Sequence, residues 1–399
     1  MKPPARALTA LQSVMRGWSE LAPYNFIQAL RLEEPPDLER WRSAAAQQLR
    51  ALGEIADVAI ERPMVGIDAH LEAELNRGFA AGDPSLRFFV IEVAAGGHWF
   101  GVVIDHWWAD DFSIRALLER IYASYRNNHS LAAKADLQWA RRLPPRQNWL
   151  RECRHFVAQL IALRRARRIS LRDPLDFGVG CFRVECPPQT LEVVRACAQR
   201  ARATVHDVFL AAAAQTCALV FPAGARRDAI GLVSAMDLRR FEKGDARSGL
   251  GLLISQYGVV EAKPEEASLD ELVARISRQT HRMKQLSGRA VDLSGLFFWR
   301  VSRSPHTRAT VFQRGSPFAA GLSNVNLSGS WLETADIAEF RRVGPTGPVI
   351  PLLFMLSTFR GRIFIDATYR TTALDRSRAL TMVEDFAQRL ARAGTKDAK

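Results

Sequence analysis

Cysteine is scarce in this chain: 5 in 399 residues, and Cys153, Cys181, Cys186, Cys197 and Cys217 include no C-x-x-C pair. An odd, unpaired set argues against a disulfide framework or a thiolate metal site and reads as buried, reduced thiols. No H-E-x-x-H, no Walker A loop and no dinucleotide fingerprint is present, so neither a metal nor a tightly bound cofactor is expected. G-x-S-x-G is absent as well, which removes the usual signature of a serine nucleophile. Long apolar runs are also missing. The longest, Val208 to Ala223, is broken by Gln215 and Thr216 and falls short of the ~20 residues a spanning helix needs. Met1-Lys2-Pro3-Pro4-Ala5-Arg6 leads into no signal-like apolar core, so a cytoplasmic protein is expected. Acids are outnumbered, 42 against 55 Lys and Arg, for a net charge of +13. That balance calls for an anionic partner, and nucleic acid, coenzyme phosphates, an acidic protein or an anionic membrane all satisfy it. No recognition motif accompanies the charge, so nucleic acid is not expected.

What is there is an ordinary folding composition, 48% hydrophobic and 24% charged, in a chain long enough for a large core. Tyr24 to Leu32 reads as a strand. After Pro35-Pro36, Asp37 can cap a helix that puts Leu38, Trp41, Ala45, Leu49 and Leu52 on one face. Phe88–Val93 and His98–Asp105 read as an antiparallel pair across Ala94-Ala95-Gly96-Gly97. A helix follows Ala109-Asp110-Asp111, with Ile114, Leu117, Leu118, Ile121 and Tyr125 in register. Residues 127–175 read as a crossover that includes Pro144-Pro145 and a basic amphipathic helix around 149–168. The second half repeats the mixed pattern. It has a strand at Cys181–Cys186, a helix from Gln189, a buried helix at about 207–220 and a strand at Ala229–Ala235. A Ser268–Glu271 capping box then opens a helix, a hairpin turns at Arg360-Gly361, and a last helix spans roughly 375–392. The fold class is mixed α/β in two similar halves, 1–175 and 176–399.

Asp105-His106-Trp107-Trp108-Ala109-Asp110-Asp111 carries the sharpest chemical signal. His106 alone of eight histidines has Asp four residues on, a spacing that eight histidines meet by chance about 0.4 times, so the pair is weak by itself. Its setting is stronger, because an imidazole at the end of an apolar strand and just before a helix sits on a rigid base.

With its surroundings, this stretch resembles the superfamily of chloramphenicol acetyltransferases and peptide-synthetase condensation domains, whose hallmark is H-H-x-x-x-D-G. The order of weaker motifs agrees along nearly the whole chain. Tyr24–Leu52 is similar to the first strand and helix, and Pro84-Ser85-Leu86-Arg87 to the approach to the motif. Ala203-Thr204-Val205-His206-Asp207-Val208 is similar to T-x-N-D-V, Met236-Asp237-Leu238-Arg239 to P-V-D-L-R, and Leu322-Ser323-Asn324-Val325 to the S-N strand. Asp105 replaces the first His, Asp111 the Gly and His206 the Asn. No D-F-G-W-G occurs near the C-terminus, unlike the plant acyltransferase branch.

The resemblance implies two chloramphenicol-acetyltransferase-like α/β lobes in a V, with a tunnel between them through which donor and acceptor reach His106. It implies acyl transfer from a thioester to an amine or hydroxyl, with His106 as general base and Asp110 paired to Arg239 to hold the loop. Imidazole suits that task, since its ordinary pKa near 6.5 lets it take a proton at neutral pH, worth about 10²–10⁴ in rate. Trp107 and Trp108 either line a substrate channel or belong to the core. Ser323 and Asn324 either donate to the developing oxyanion or serve strand pairing. Asp111 reads chiefly as a helix N-terminal acid. No carrier domain is expected in the chain, so the donor should arrive as a coenzyme A thioester or on the phosphopantetheine arm of a separate acidic carrier protein. The segment Arg141–Arg172 holds ten arginines and one acid, Glu152. Its Arg164, Arg165, Arg167 and Arg168 are the expected carrier-docking residues, although such a run can equally be a solvated helix face. Two rivals stand beside acyl transfer. One is an inactive module that only docks carriers, which Asp105 and Asp111 would favour; the other is a lipid acyltransferase held at a membrane surface by the basic helix.

Overall fold

The computed structural model describes residues 8–53, 58–80, 85–127, 149–241, 250–286, 289–301, 304, 306–307, 317–348 and 350–394. Pro84, Arg141, Arg142, Pro144, Pro145 and Arg146 of the sequence reading lie outside them. The chain divides into two compact units, neither of them continuous. One draws on Met1–Pro145, Asp237–Ile254 and Gly329–Pro345, the other on Arg146–Met236, Ser255–Ser328 and Thr346–Lys399. A single cut near residue 175 is therefore corrected. Two later segments return to the first unit because a strand and a loop in them complete its sheet and its helix cap.

In the first unit, α1 (Ala10–Ser19) precedes β1 (Asn25–Leu32), α2 (Leu38–Ala51), β2 (Ile60–Glu61), α3 (Ile67–Leu75), β3 (Leu86–Glu92), β4 (His98–Asp105) and α4 (Asp111–Tyr125). The sheet order is β2-β3-β4-β1-β9, where β9 is Ile337–Val343. β4 is central and buried along its whole length, as its run Trp99-Phe100-Gly101-Val102-Val103-Ile104 requires. Gly96 and Gly97 turn the β3–β4 hairpin at φ 98° and 82°, a region costly to any side chain. Gly101 faces Phe89 across that hairpin, and a Cβ there would overlap the Phe89 ring. Asp37 caps α2 by accepting from Arg40 N at 3.0 Å. The indole of Trp41 lies flat between Phe100 and Tyr125, with ring centroids 3.8 and 3.7 Å away, and donates to His98 Nε2 at 2.9 Å. α2 and α4 pack on each other, and α4 also packs on β1 and β4. That anchors the start of α4, where the His-Asp motif ends.

The second unit holds α5 (Trp149–Leu163), β5 (Val179–Glu185), α6 (Thr190–Arg200), α7 (Val205–Val220), β6 (Ala229–Asp237) and β7 (Ile254–Ala262). It continues with α8 (Leu269–Met283), α9 (Arg289–Val301), β8 (Ala320–Asn326), β10 (Leu352–Phe359), β11 (Arg362–Arg370) and α10 (Arg376–Ala391). Its sheet runs β5-β11-β10-β8-β6-β7, with β8 parallel to both β6 and β10 and the β10–β11 hairpin antiparallel. α7 is the core helix: Val208 to Ala214 are all buried, and α6, α8, α10 and β8 pack around it. Thr204 and Asp207 close its first turn as a reciprocal capping box.

Candidate active site

β4 ends where its apolar run meets Asp105, but its pairing does not stop there. Asp105 N donates to Ser85 O at 3.0 Å and His106 N donates to Tyr24 O at 2.9 Å, so the His106 backbone is held at the end of the central strand. The half-buried imidazole lies against Phe26, with centroids 4.9 Å apart, and stacks at 19° on Tyr24 at 5.7 Å. Its Nδ1 is 3.1 Å from Ala109 O. A carbonyl oxygen can only accept, so Nδ1 carries the proton and Nε2 of the neutral ring keeps its lone pair. Burial pushes the imidazole below its ordinary pKa, against the upward pull of the Ala109 carbonyl and of Asp110 and Asp111. The outcome is a neutral base at neutral pH, with its tautomer fixed by the loop that follows it.

Asp110 fixes that loop. It is the N-cap of α4, 1% exposed, and faces Arg239, 4% exposed. Oδ1 accepts from Ser113 N at 3.0 Å and Arg239 Nη2 at 3.1 Å; Oδ2 accepts from Arg239 Nη1 at 2.9 Å and Leu253 N at 2.7 Å. The fork of Arg239 is also anchored to Ser113 Oγ at 2.9 Å and lies over the Phe112 ring at 4.3 Å. A carboxylate so occupied holds position and has no open face for proton transfer. The structure thus brings Asp110 and Arg239 together within the first unit, although 128 residues separate them in sequence.

The two positions that depart from H-H-x-x-x-D-G have structural partners. Asp105 accepts from Ser19 Oγ and from Trp107 Nε1, both at 2.8 Å, tying α1 to the strand end. Burial raises its pKa, opposed by those two donors and by Arg16. Asp111 opens α4 but does more than complement the helix. It accepts from Gln28 Nε2 and Arg115 Nη1, each at 2.8 Å, and pairs with Arg342 of β9 at 3.2 Å. Burial alone would raise its pKa; Arg342, Arg115 and Gln28 outweigh it and hold it below the ordinary carboxylate range. Trp107 and Trp108 are both buried, and the Trp107 ring lies 5.6 Å under the Arg16 guanidinium.

Ser323 and Asn324 stand in the second unit, on β8 opposite Met355 and Leu356 of β10. Asn324 Oδ1 is sealed from solvent without a hydrogen-bond partner, which is costly in a folded protein unless a ligand meets it. His206, in the first turn of α7, is within 3.0 Å of Ser234 Oγ on β6. Burial, aided by Lys284, depresses its pKa to about 4. The proposed carrier-docking arginines do not form one cationic face. Helical spacing ceases at Leu163, after which Ala166 bridges to Ala229 beside β6. Arg167 is 2% exposed and turned inward, donating to the carbonyls of Ala218 and Asp228 and pairing with Glu265. Arg165 is forked onto Asp228, and Arg168 is half-buried; only Arg164 and Arg165 stay exposed. Arg167 is therefore corrected from a docking residue to an internal tie.

Sequence reading missed α1, β2, α3, β7, α9 and β9. The Thr9–Gln12 capping box that opens α1 was a visible signal, whereas nothing local marks β9 as the partner of β1.

No family model matches the chain, and no curated protein matches it. The fold is that of condensation domains and of the chloramphenicol-acetyltransferase-like enzymes built on the same plan. Among solved structures, the first condensation domain of the calcium-dependent antibiotic synthetase superposes with TM-score 0.71 at 13% identity, covering 99% of this chain and 98% of that one. Trichothecene 15-O-acetyltransferase from Fusarium sporotrichioides superposes with TM-score 0.71 at 12% identity over 97% and 94% of the two chains. The condensation domain of the monacolin K polyketide synthase gives 0.68 at 13% identity over 97% and 96%.

Proposed function

We propose that the protein is an acyltransferase that moves an acyl group from a thioester to an amine or hydroxyl, with His106 as general base. The observation that carries this is the Nδ1–H···O=C bond to Ala109, which leaves Nε2 as a lone-pair base in a ring kept neutral by burial. The acceptor N–H or O–H gives its proton to Nε2 as it attacks the thioester carbonyl. The C–S bond breaks as the tetrahedral adduct collapses, and the departing sulfur takes the proton back from the imidazolium. No acyl-enzyme is needed, because a thioester is already activated. Asp110 and Arg239 act as positioning residues. The donor is borne by coenzyme A or by the phosphopantetheine arm of an acidic carrier protein. The +13 charge supports the carrier, as does the membership of several structural neighbours in multidomain synthetases.

The test is His106→Ala assayed against thioesters of one acyl group on coenzyme A and on a carrier protein. The variant should fold and lose at least ~10² in rate with either donor. Full activity in His106→Ala would remove the proposal. A carrier preference that fades with added salt is expected from electrostatic steering; equal, salt-independent use of both donors would leave coenzyme A as the donor.

A further inference from the structure

α5 turns a line of apolar side chains to solvent. Glu152 and Leu163 are buried in the second unit, and α5 packs against α9. The opposite side should then be polar, and it is not. Leu150 is 81% exposed, Val157 52% and Ile161 59%, with Leu160 exposed beside them. Leu150, Arg154, Val157 and Ile161 follow one another at steps of four, three and four residues, which places them along one line of the helix. Arg151, Arg154 and Arg164 are exposed around that line, while the only acid of α5, Glu152, is inside. Phe297 and Leu293 of the neighbouring α9 are exposed as well. A contiguous exposed apolar line on a helix whose other side is already packed marks a surface with an apolar partner outside the protein body.

We propose that the outer face of α5 docks on an anionic lipid surface, lying in the headgroup region with its arginines on the lipid phosphates and carboxylates. A second copy of the chain fits poorly. A two-fold contact would set this face against itself, arginine against arginine, with no acid on the face to answer them. A bilayer surface supplies negative charge and an apolar layer together, and it asks for no matching shape. The net charge of +13 favours approach to it. No single helix among the described residues is long and apolar enough to cross a membrane, so α5 would lie on the surface.

Co-sedimentation with vesicles tests this without any acyl-transfer assay, so its outcome is independent of the role of His106. The intact protein should bind vesicles in which a third of the lipid is phosphatidylserine, and bind pure phosphatidylcholine vesicles far less. Replacing Leu150, Val157 and Ile161 together by serine should weaken binding by on the order of 10²-fold. Arg151→Gln with Arg154→Gln should weaken it by about 30-fold on anionic vesicles only. Both variants should melt with the parent, since the changed side chains face outward. Equal binding to both vesicle types, or undiminished binding by the serine variant, would overturn the proposal. Loss of a dimer, or of affinity for an acidic carrier protein, with no vesicle binding at all would give the face to a protein partner and overturn it equally.

Discussion

Asp110→Ala should destabilise the first unit severely, because it strands a cation that the fold has taken out of water. Arg239 is 4% exposed and its fork spans both oxygens of Asp110 at 2.9 and 3.1 Å. Its other carboxylate neighbour, Asp237, is 3.3 Å away and half exposed. Removing one member of a buried pair costs roughly 3–5 kcal/mol, since the remaining charge loses its partner without regaining hydration. The lost N-cap of α4, about 1 kcal/mol in general, adds to it. For a cooperative unit of 150–250 residues, 3–5 kcal/mol corresponds to roughly 6–20 °C in Tm. Asp110→Asn should fall between parent and alanine variant: it keeps an acceptor for Ser113 N but turns an amide NH₂ toward Arg239 or Leu253 N. The double variant Asp110→Ala with Arg239→Ala should lose less than the sum of the singles by about 0.5–3 kcal/mol, because it removes the stranded cation. Thermal and urea unfolding of the parent, Asp110→Ala, Asp110→Asn, Arg239→Ala and the double variant, followed by circular dichroism in one buffer, measures all of this. Single variants that melt with the parent, or strict additivity in the double, would refute the pairing as a structural determinant.

Activity should rise with pH and level off below the ordinary imidazole pKa, because protonation of Nε2 switches the base off and burial lowers that pKa. A kcat/KM profile with its inflection above about 6.5 would contradict this. His206 should make the fold acid-sensitive. Its pKa is depressed from 6.5 to about 4, so the unfolded chain binds the proton first, and its contribution is present above pH 6.5 and lost as pH falls toward 4. The urea midpoint should drop across that window, and His206→Gln should flatten the drop; an unchanged slope would count against the assignment. Ellman's reagent should titrate at most one thiol in the native protein, Cys153, and all five after denaturation, since the other four are buried and burial raises Cys186 to about 12 and Cys197 to about 11. Two or more fast-reacting native thiols would contradict that burial.

The elements legible in sequence were those whose cause is local. β4 followed from an unbroken apolar run, α2 from Asp37 and a helical stripe, the β3–β4 turn from Gly96-Gly97, and α8 from the Ser268–Glu271 box. The neighbourhood of His106 was legible for the same reason: a strand, a polar corner and a helix start adjoin in sequence. Tertiary structure decided what rests on meetings between distant segments. β9 joins β1 from more than 300 residues away, and Arg342 on it reaches Asp111, so a residue that reads as a helix-start acid becomes a tie between α4 and the sheet. Arg167 belongs to a basic run by sequence, yet it is buried where the carbonyls of Ala218 and Asp228 and the Glu265 carboxylate converge on it. Local pattern fixes which faces of an element are apolar. The depth of a charged side chain depends on whether distant parts of the chain bring it enough acceptors to replace water, and only the assembled fold determines that.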